Sequence, residues 1–171
     1  PTESNEREKS RCSLGGRLNY IPAQWDVLGE TPHACDNVDL ATFWKDFAQV
    51  LRAAINETGL PAVYNFIIVG HHNRMREQFL PLRNKNDGYA NCFCAKVTVG
   101  PNDQFAGPAL VFKGFPDKSK YDYISNDTAL GEKKKTGDWD TIMKILKKEL
   151  GRTGNTANLY FIRHGNSMHN K

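Results

Sequence analysis

Two short stretches carry residues able to handle a charged group. In "LYFIRHGNSMHNK" an alternating, branched run ends in Arg163, His164 and Gly165, and in "NFIIVGHHNRM" a second apolar run ends in Gly70, His71 and His72. A guanidinium offers a planar donor fork suited to phosphate oxygens, and glycine lets the backbone approach a bound anion. Ser167 and Asn170 add neutral donors at an expected helix start, where free N–H groups and the helix dipole also favour anions. The cluster around His164 thus reads as a phosphate cradle with an imidazole inside it. A neutral imidazole aimed at phosphorus is a competent nucleophile, and surrounding positive groups stabilise the charge on a transferring group.

Both stretches must be presented by strand ends, because ligands of open α/β sheets collect at the carboxyl ends of strands. If the two strands are neighbours, His71 and His164 face each other across one pocket. The rest of the chain reads as the scaffold for that arrangement. Residues 1–11 read as a mobile polar arm, followed by an irregular stretch punctuated by Pro22, Gly29 and Pro32. Leu40, Phe43, Trp44, Phe47, Leu51 and Ile55 recur at helical spacing, with Asp39 as N-cap and Gly59 as terminator. "AVYNFIIV" is continuous enough for a strand buried on both faces. "NRMREQFLPL" predicts a short helix disrupted by Pro81. "YANCFCAKVTVG" and "PALVFKGF" predict further strands, with Cys92 and Cys94 pointing together into the core. Residues 116–137 read as a lysine-rich excursion or lid. Trp139, Ile142, Met143, Leu146 and Leu150 form an amphipathic helix before the final strand. Strands alternating with helices predict one α/β domain over 1–171, a three-layer αβα sandwich around a largely parallel central sheet.

At this point the residues resemble a known family. "FIRHGNSMHN" is similar to the signature of the histidine phosphatase superfamily, which includes the phosphoglycerate mutases: Arg-His-Gly, one variable residue, Ser, two variable residues, Asn. "FIIVGHHNRMREQFLPL" followed by "ANCFCAKV" resembles the family's second-histidine segment, with His71 as the matching histidine. The resemblance implies a phosphohydrolase in which His164 is transiently phosphorylated. Arg163, His71 and Asn170 would hold the phosphoryl oxygens, and His71 would stabilise the transition state. It implies a small phosphorylated substrate and no metal or organic cofactor. A phosphomutase is the alternative within the family, and a non-catalytic phosphate-binding protein the alternative on the same fold.

The chain departs from the family pattern in places. Asn166 stands where a glutamate is common, and Arg-His-Gly follows the second-histidine segment instead of preceding it, so the order is permuted or an internal segment is lacking. The Ser-Pro-Leu-x-Arg segment that supplies a second phosphate-binding arginine has no close match; Arg17 in "SLGGR" stands at the right interval from Ser13 without the proline. For the general acid, the family's usual loop offers Glu30, with Asp26 and Asp36 nearby, and Glu30 is the expected donor. Such a carboxyl needs a raised pKa to protonate a leaving oxygen near neutral pH.

Composition sets the remaining expectations. The 171 residues are 39% hydrophobic and 25% charged, suited to a single core, and no apolar run has bilayer length. A cytoplasmic protein without membrane contact is expected, with its four cysteines reduced. A zinc site from Cys92 and Cys94 with His71 or His72 lacks metal-ligand spacing. His72, His33 and His169 read as structural or solvent-facing. The net charge of +4 owes much to Lys133, Lys134 and Lys135 and to Lys144, Lys147 and Lys148. A nucleic-acid-binding face built on that lysine run and the aromatics of "KYDYI" ranks last, because no recognition motif accompanies the charge. The oligomeric state is not readable.

Overall fold

A computed structural model of the chain describes residues 39–58, 62–118 and 120–165. Helix α1 spans Leu40–Thr58, and its start follows from Asp39, whose carboxylate accepts from the Thr42 backbone N–H at 3.0 Å and from the Thr42 hydroxyl at 2.6 Å. These bonds satisfy an N–H that the first helical turn leaves open, and they hold the Asp39 carboxyl below its usual range. The expected apolar stripe is the buried one: Trp44, Phe47, Leu51 and Ile55 lie in the core. The Gly59 terminator and the arm at 1–11 lie outside the described residues.

Strand β1, Val63–Gly70, follows, then helix α2, His72–Arg74, which runs into a single π-turn, Met75–Phe79, closed by the Leu80 N–H on the Met75 carbonyl at 2.8 Å. Leu80 leaves helical geometry immediately before Pro81, as the steric demand of proline on its predecessor requires. Strand β2 is Asp87–Gly88, β3 Cys94–Val99, β4 Phe105–Phe112 and β5 Asp122–Tyr123. Helices α3, Asp127–Lys133, and α4, Thr136–Leu150, lead through a 3-10 turn into β6, Thr156–Arg163. The segment expected as an excursion thus carries β5 and α3.

The main sheet has the order β1-β6-β3-β4, and β2 pairs with β5 separately. The mixed α/β composition is as expected, but parallel pairing does not predominate. β1 and β6 are parallel, while β6–β3 and β3–β4 are antiparallel. The physical reason lies in the connections: β3 and β4 are joined by the short turn 100–104, which only an antiparallel pair permits.

Helices α1 and α4 pack against each other on one sheet face. Their contact includes a bridge from Arg52 to the buried Glu149 at 2.7 Å. That face is lined by Ile68 of β1, Leu159 and Phe161 of β6, and Ala95, Val97 and Val99 of β3. An aromatic group beneath it, Trp44, Phe47, Phe79 and Phe161, has ring centroids 5.4 to 6.2 Å apart and ties α1 and the π-turn to β6. Such pairs add to simple area burial. Trp44 also donates its indole N–H to the Gln78 carbonyl at 2.7 Å.

On the opposite face β1 presents Val63, Ile67 and Val69, with Ile67 and Val69 each 61% exposed. Burial on both faces of β1 is therefore not seen; its apolar run conceals an alternation. A polar row crosses this face, Asn158 donating to Asn65 at 2.9 Å and accepting from Thr98 at 2.8 Å. It pins the register of three strands, since a one-residue slip would carry it to the core side. The cysteine expectation is corrected as well. Phe93 is fully buried and Cys92 and Cys94 are half-buried, because Phe93, Ala95, Val97 and Val99 take the core side of the alternation.

Candidate active site

The β1–β6 ladder runs in register from Val63 opposite Thr156 to Gly70 opposite Arg163, so the next residues, His71 and His164, leave the sheet side by side. The His164 N–H bonds to the Gly70 carbonyl at 3.0 Å, extending the pairing by one step. Gly70 is packed from below: a Cβ there would lie 3.3 Å from the Phe79 ring. The aromatic core thus sets the height of the strand end that carries His71.

His71 Nδ1 lies 2.9 Å from His164 Nε2, with ring centroids 4.5 Å apart and planes at 69°. His164 Nδ1 is within hydrogen-bond distance of the Gly165 carbonyl. A carbonyl only accepts, so Nδ1 of His164 carries the proton, and in the neutral ring Nε2 bears the lone pair. The 2.9 Å contact is then donated by His71 Nδ1–H. The tautomers follow from this bonding pattern. The outcome is an imidazole whose free lone pair points toward a second imidazole's N–H.

Arg163, the last residue of β6, is engaged within the chain. Its Nη1 donates to the Tyr89 carbonyl, its Nη2 lies 3.6 Å from Asp117 Oδ2, and its Nε is buried without a hydrogen-bond partner. Tyr123 in turn donates its hydroxyl to Asp117 Oδ1. His72, beside this group, stacks on Tyr121 at 4.4 Å, and the Arg76 guanidinium lies 5.3 Å from the Tyr121 ring centre. Neither ring nitrogen of His72 has a hydrogen-bond partner. Burial and the neighbouring Arg163 charge push its pKa below the usual histidine value. Gly88 makes room for the stack: a Cβ there would meet His72 Cε1 at 2.8 Å and the Tyr121 Cβ at 3.1 Å.

Of the expected site residues, the structure describes His164, His71 and Arg163 and brings the two imidazoles together. Glu30, Arg17, Ser167 and Asn170, with the alternatives Asp26 and Asp36, lie outside the described residues. Asp117, Tyr121 and the Tyr89 carbonyl were missed by sequence reasoning. They sit in or beside unpatterned polar stretches, and the β2–β5 pairing brings their segments together. Cys92 is a further neighbour, its Sγ 3.3 Å from where a Gly165 Cβ would lie.

Among the described residues no group of three His, Cys, Asp or Glu side chains could hold a metal ion, and no helix is long and apolar enough to cross a membrane. The lysine run is engaged within the chain. Lys133 pairs with buried Asp87 at 3.0 Å, Lys134 lies over Trp139 and Lys135 lies 3.6 Å from Asp138. Comparison with protein-family models, curated proteins and solved structures returns no match.

Proposed function

We propose that the chain is a histidine-phosphatase-type phosphohydrolase that cleaves a phosphomonoester through phospho-His164. The observation that carries this reading is the His71–His164 contact together with the Gly165 carbonyl, which leaves His164 Nε2 as the nucleophilic nitrogen. In the proposed reaction Nε2 attacks phosphorus, a P–N bond forms and the P–O bond to the leaving group breaks. The leaving oxygen takes a proton from a general acid, for which Glu30 remains the expected donor. His71 Nδ1–H moves from Nε2 to a phosphoryl oxygen as Nε2 becomes bonded, which directs a donor at the charge of the transition state. Water then attacks the phosphohistidine, restoring His164 and releasing phosphate.

The reading also expects a cytoplasmic location, and a third layer is supported by the apolar character of the exposed β1 face. A binding protein without turnover is the second reading, favoured by the engagement of Arg163 with Asp117. Incubation with a small phosphomonoester, a rapid quench and mass spectrometry separate the two. An acid-labile, alkali-stable adduct on His164 is expected, and equal turnover by His164→Ala would sink the hydrolase reading.

A further inference from the structure

Arg163 is the side chain that the proposed reaction needs for phosphoryl oxygens, yet its donors are directed elsewhere. Nη1 faces the Tyr89 carbonyl, Nη2 faces a carboxylate and Nε is buried without a hydrogen-bond partner. The Asp117 contact at 3.6 Å is longer than the roughly 2.7–2.9 Å of a well-made charge-assisted hydrogen bond. It is an ion pair held at a distance, between an arginine 11% exposed and an aspartate 26% exposed. Little solvent screens that pair, so its charge matters more than it would on the surface.

The carboxylate is also tied to a strand. Tyr123 bonds to Asp117 and belongs to β5, which pairs with β2. Tyr121, two residues earlier, is clasped between His72 and Arg76 of the second-histidine segment. The Asp122 N–H bonds to the Asn86 carbonyl at 2.8 Å and the Ile124 N–H to the Gly88 carbonyl at 3.1 Å. Residues 120–124 are therefore anchored to the same elements that present His71, and they set Asp117 against the fork of Arg163.

We propose that Asp117 is a built-in competitor for the anion at Arg163, so that the segment carrying it sets how tightly the site holds a phosphoryl group. A phosphate oxygen takes the place of the carboxylate at Nη2, and Asp117 retains Tyr123. The resting enzyme thereby keeps Arg163 oriented while binding product phosphate weakly enough to release it. This inference rests on the phosphohydrolase reading of the site.

The test measures binding of inorganic phosphate and of orthovanadate to the full chain by calorimetry, in the wild type and in Asp117→Asn, Arg163→Ala and the double variant. Asn keeps the acceptor for Tyr123 and removes the charge. Asp117→Asn is expected to bind both anions about three- to tenfold more tightly, and Arg163→Ala to abolish that gain. Arg163-dependent binding in the wild type with equal or weaker binding by Asp117→Asn overturns the inference and leaves the phosphate site standing. Absence of any Arg163-dependent binding in every variant overturns both. Should Asp117→Asn not fold, Tyr123→Phe releases the carboxylate from its anchor. Tighter anion binding by that variant supports the inference and unchanged binding overturns it.

Discussion

His71 Nδ1 and His164 Nε2 stand 2.9 Å apart although the residues are 93 positions apart in the chain, because β1 and β6 are parallel neighbours ending at the same level. Parallel pairing is what makes this possible. In an antiparallel pair the C-terminal ends of the two strands lie at opposite sides of the sheet, and no register would bring both histidines to one place.

If the proposed reaction holds, His164→Ala loses turnover by a factor of at least about 10³, since a phosphoryl acceptor has no substitute at that position. His71→Ala retains the acceptor and loses one donor to the charged transition state, a drop of about 10² to 10³ in kcat. Steady-state kinetics on a phosphomonoester read both. A larger loss for His71→Ala than for His164→Ala would reverse the assignment of nucleophile.

The tautomer of His164 can be observed directly. Two-bond ¹H–¹⁵N correlation spectra above pH 7.5 are expected to show His164 with Nδ1 protonated and Nε2 bare. They should also show His71 with a protonated Nδ1. The opposite tautomer at His164 would remove the nucleophilic lone pair from the side facing His71.

His72 makes stability depend on pH. Its folded pKa lies below the unfolded value of 6.5, so the unfolded chain binds the proton more readily. The contribution of His72 is complete above that pH and is lost as pH falls below it. Urea midpoints taken from pH 7.5 to 5.5 should decline, and the decline should be shallower in His72→Gln. Identical slopes in the two proteins would dissociate His72 from the effect.

Trp44 and the Arg52–Glu149 pair test the scaffold. Trp44→Ala removes a fully buried indole and its bond to Gln78, at a cost of about 3–5 kcal/mol by chemical denaturation. Arg52→Met leaves the Glu149 carboxylate buried and unpaired, so it should destabilise more than the double variant Arg52→Met/Glu149→Leu. A double variant weaker than the single one would mean that the bridge is net favourable.

Much of the scaffold was legible because its signals are local. The stripe of α1, the Asp39 cap, the stop at Pro81 and the two strand ends carrying histidine are each written in adjacent residues. Helix α3 was missed although Asn126 accepts from the Ala129 N–H at 2.7 Å, because its seven residues bury only Leu130 and contain Gly131. The orientation of β3 escaped for a different reason. Both faces of "CFCAKVTV" carry residues that suit a half-buried strand, and its direction follows from pairing with β6 and β4, which no local residue announces. The preference for a parallel sheet came from the expected alternation of strands with helices, whereas β3 and β4 turn back on each other over a few residues. Asp117 was unreadable in principle: its meaning depends on Arg163, and only tertiary pairing brings them together.

The order β1-β6-β3-β4 places the last strand in sequence between two earlier ones. Until β6 arrives, β1 and β3 each present an open backbone edge and the helices have no continuous surface to close upon. Folding must therefore wait on a long-range insertion, a step of high contact order and slow closure. During that wait the edges of β1 and β3 are the places open to mispairing. The same insertion assembles the histidine pair, so the candidate site and the sheet are completed in a single event.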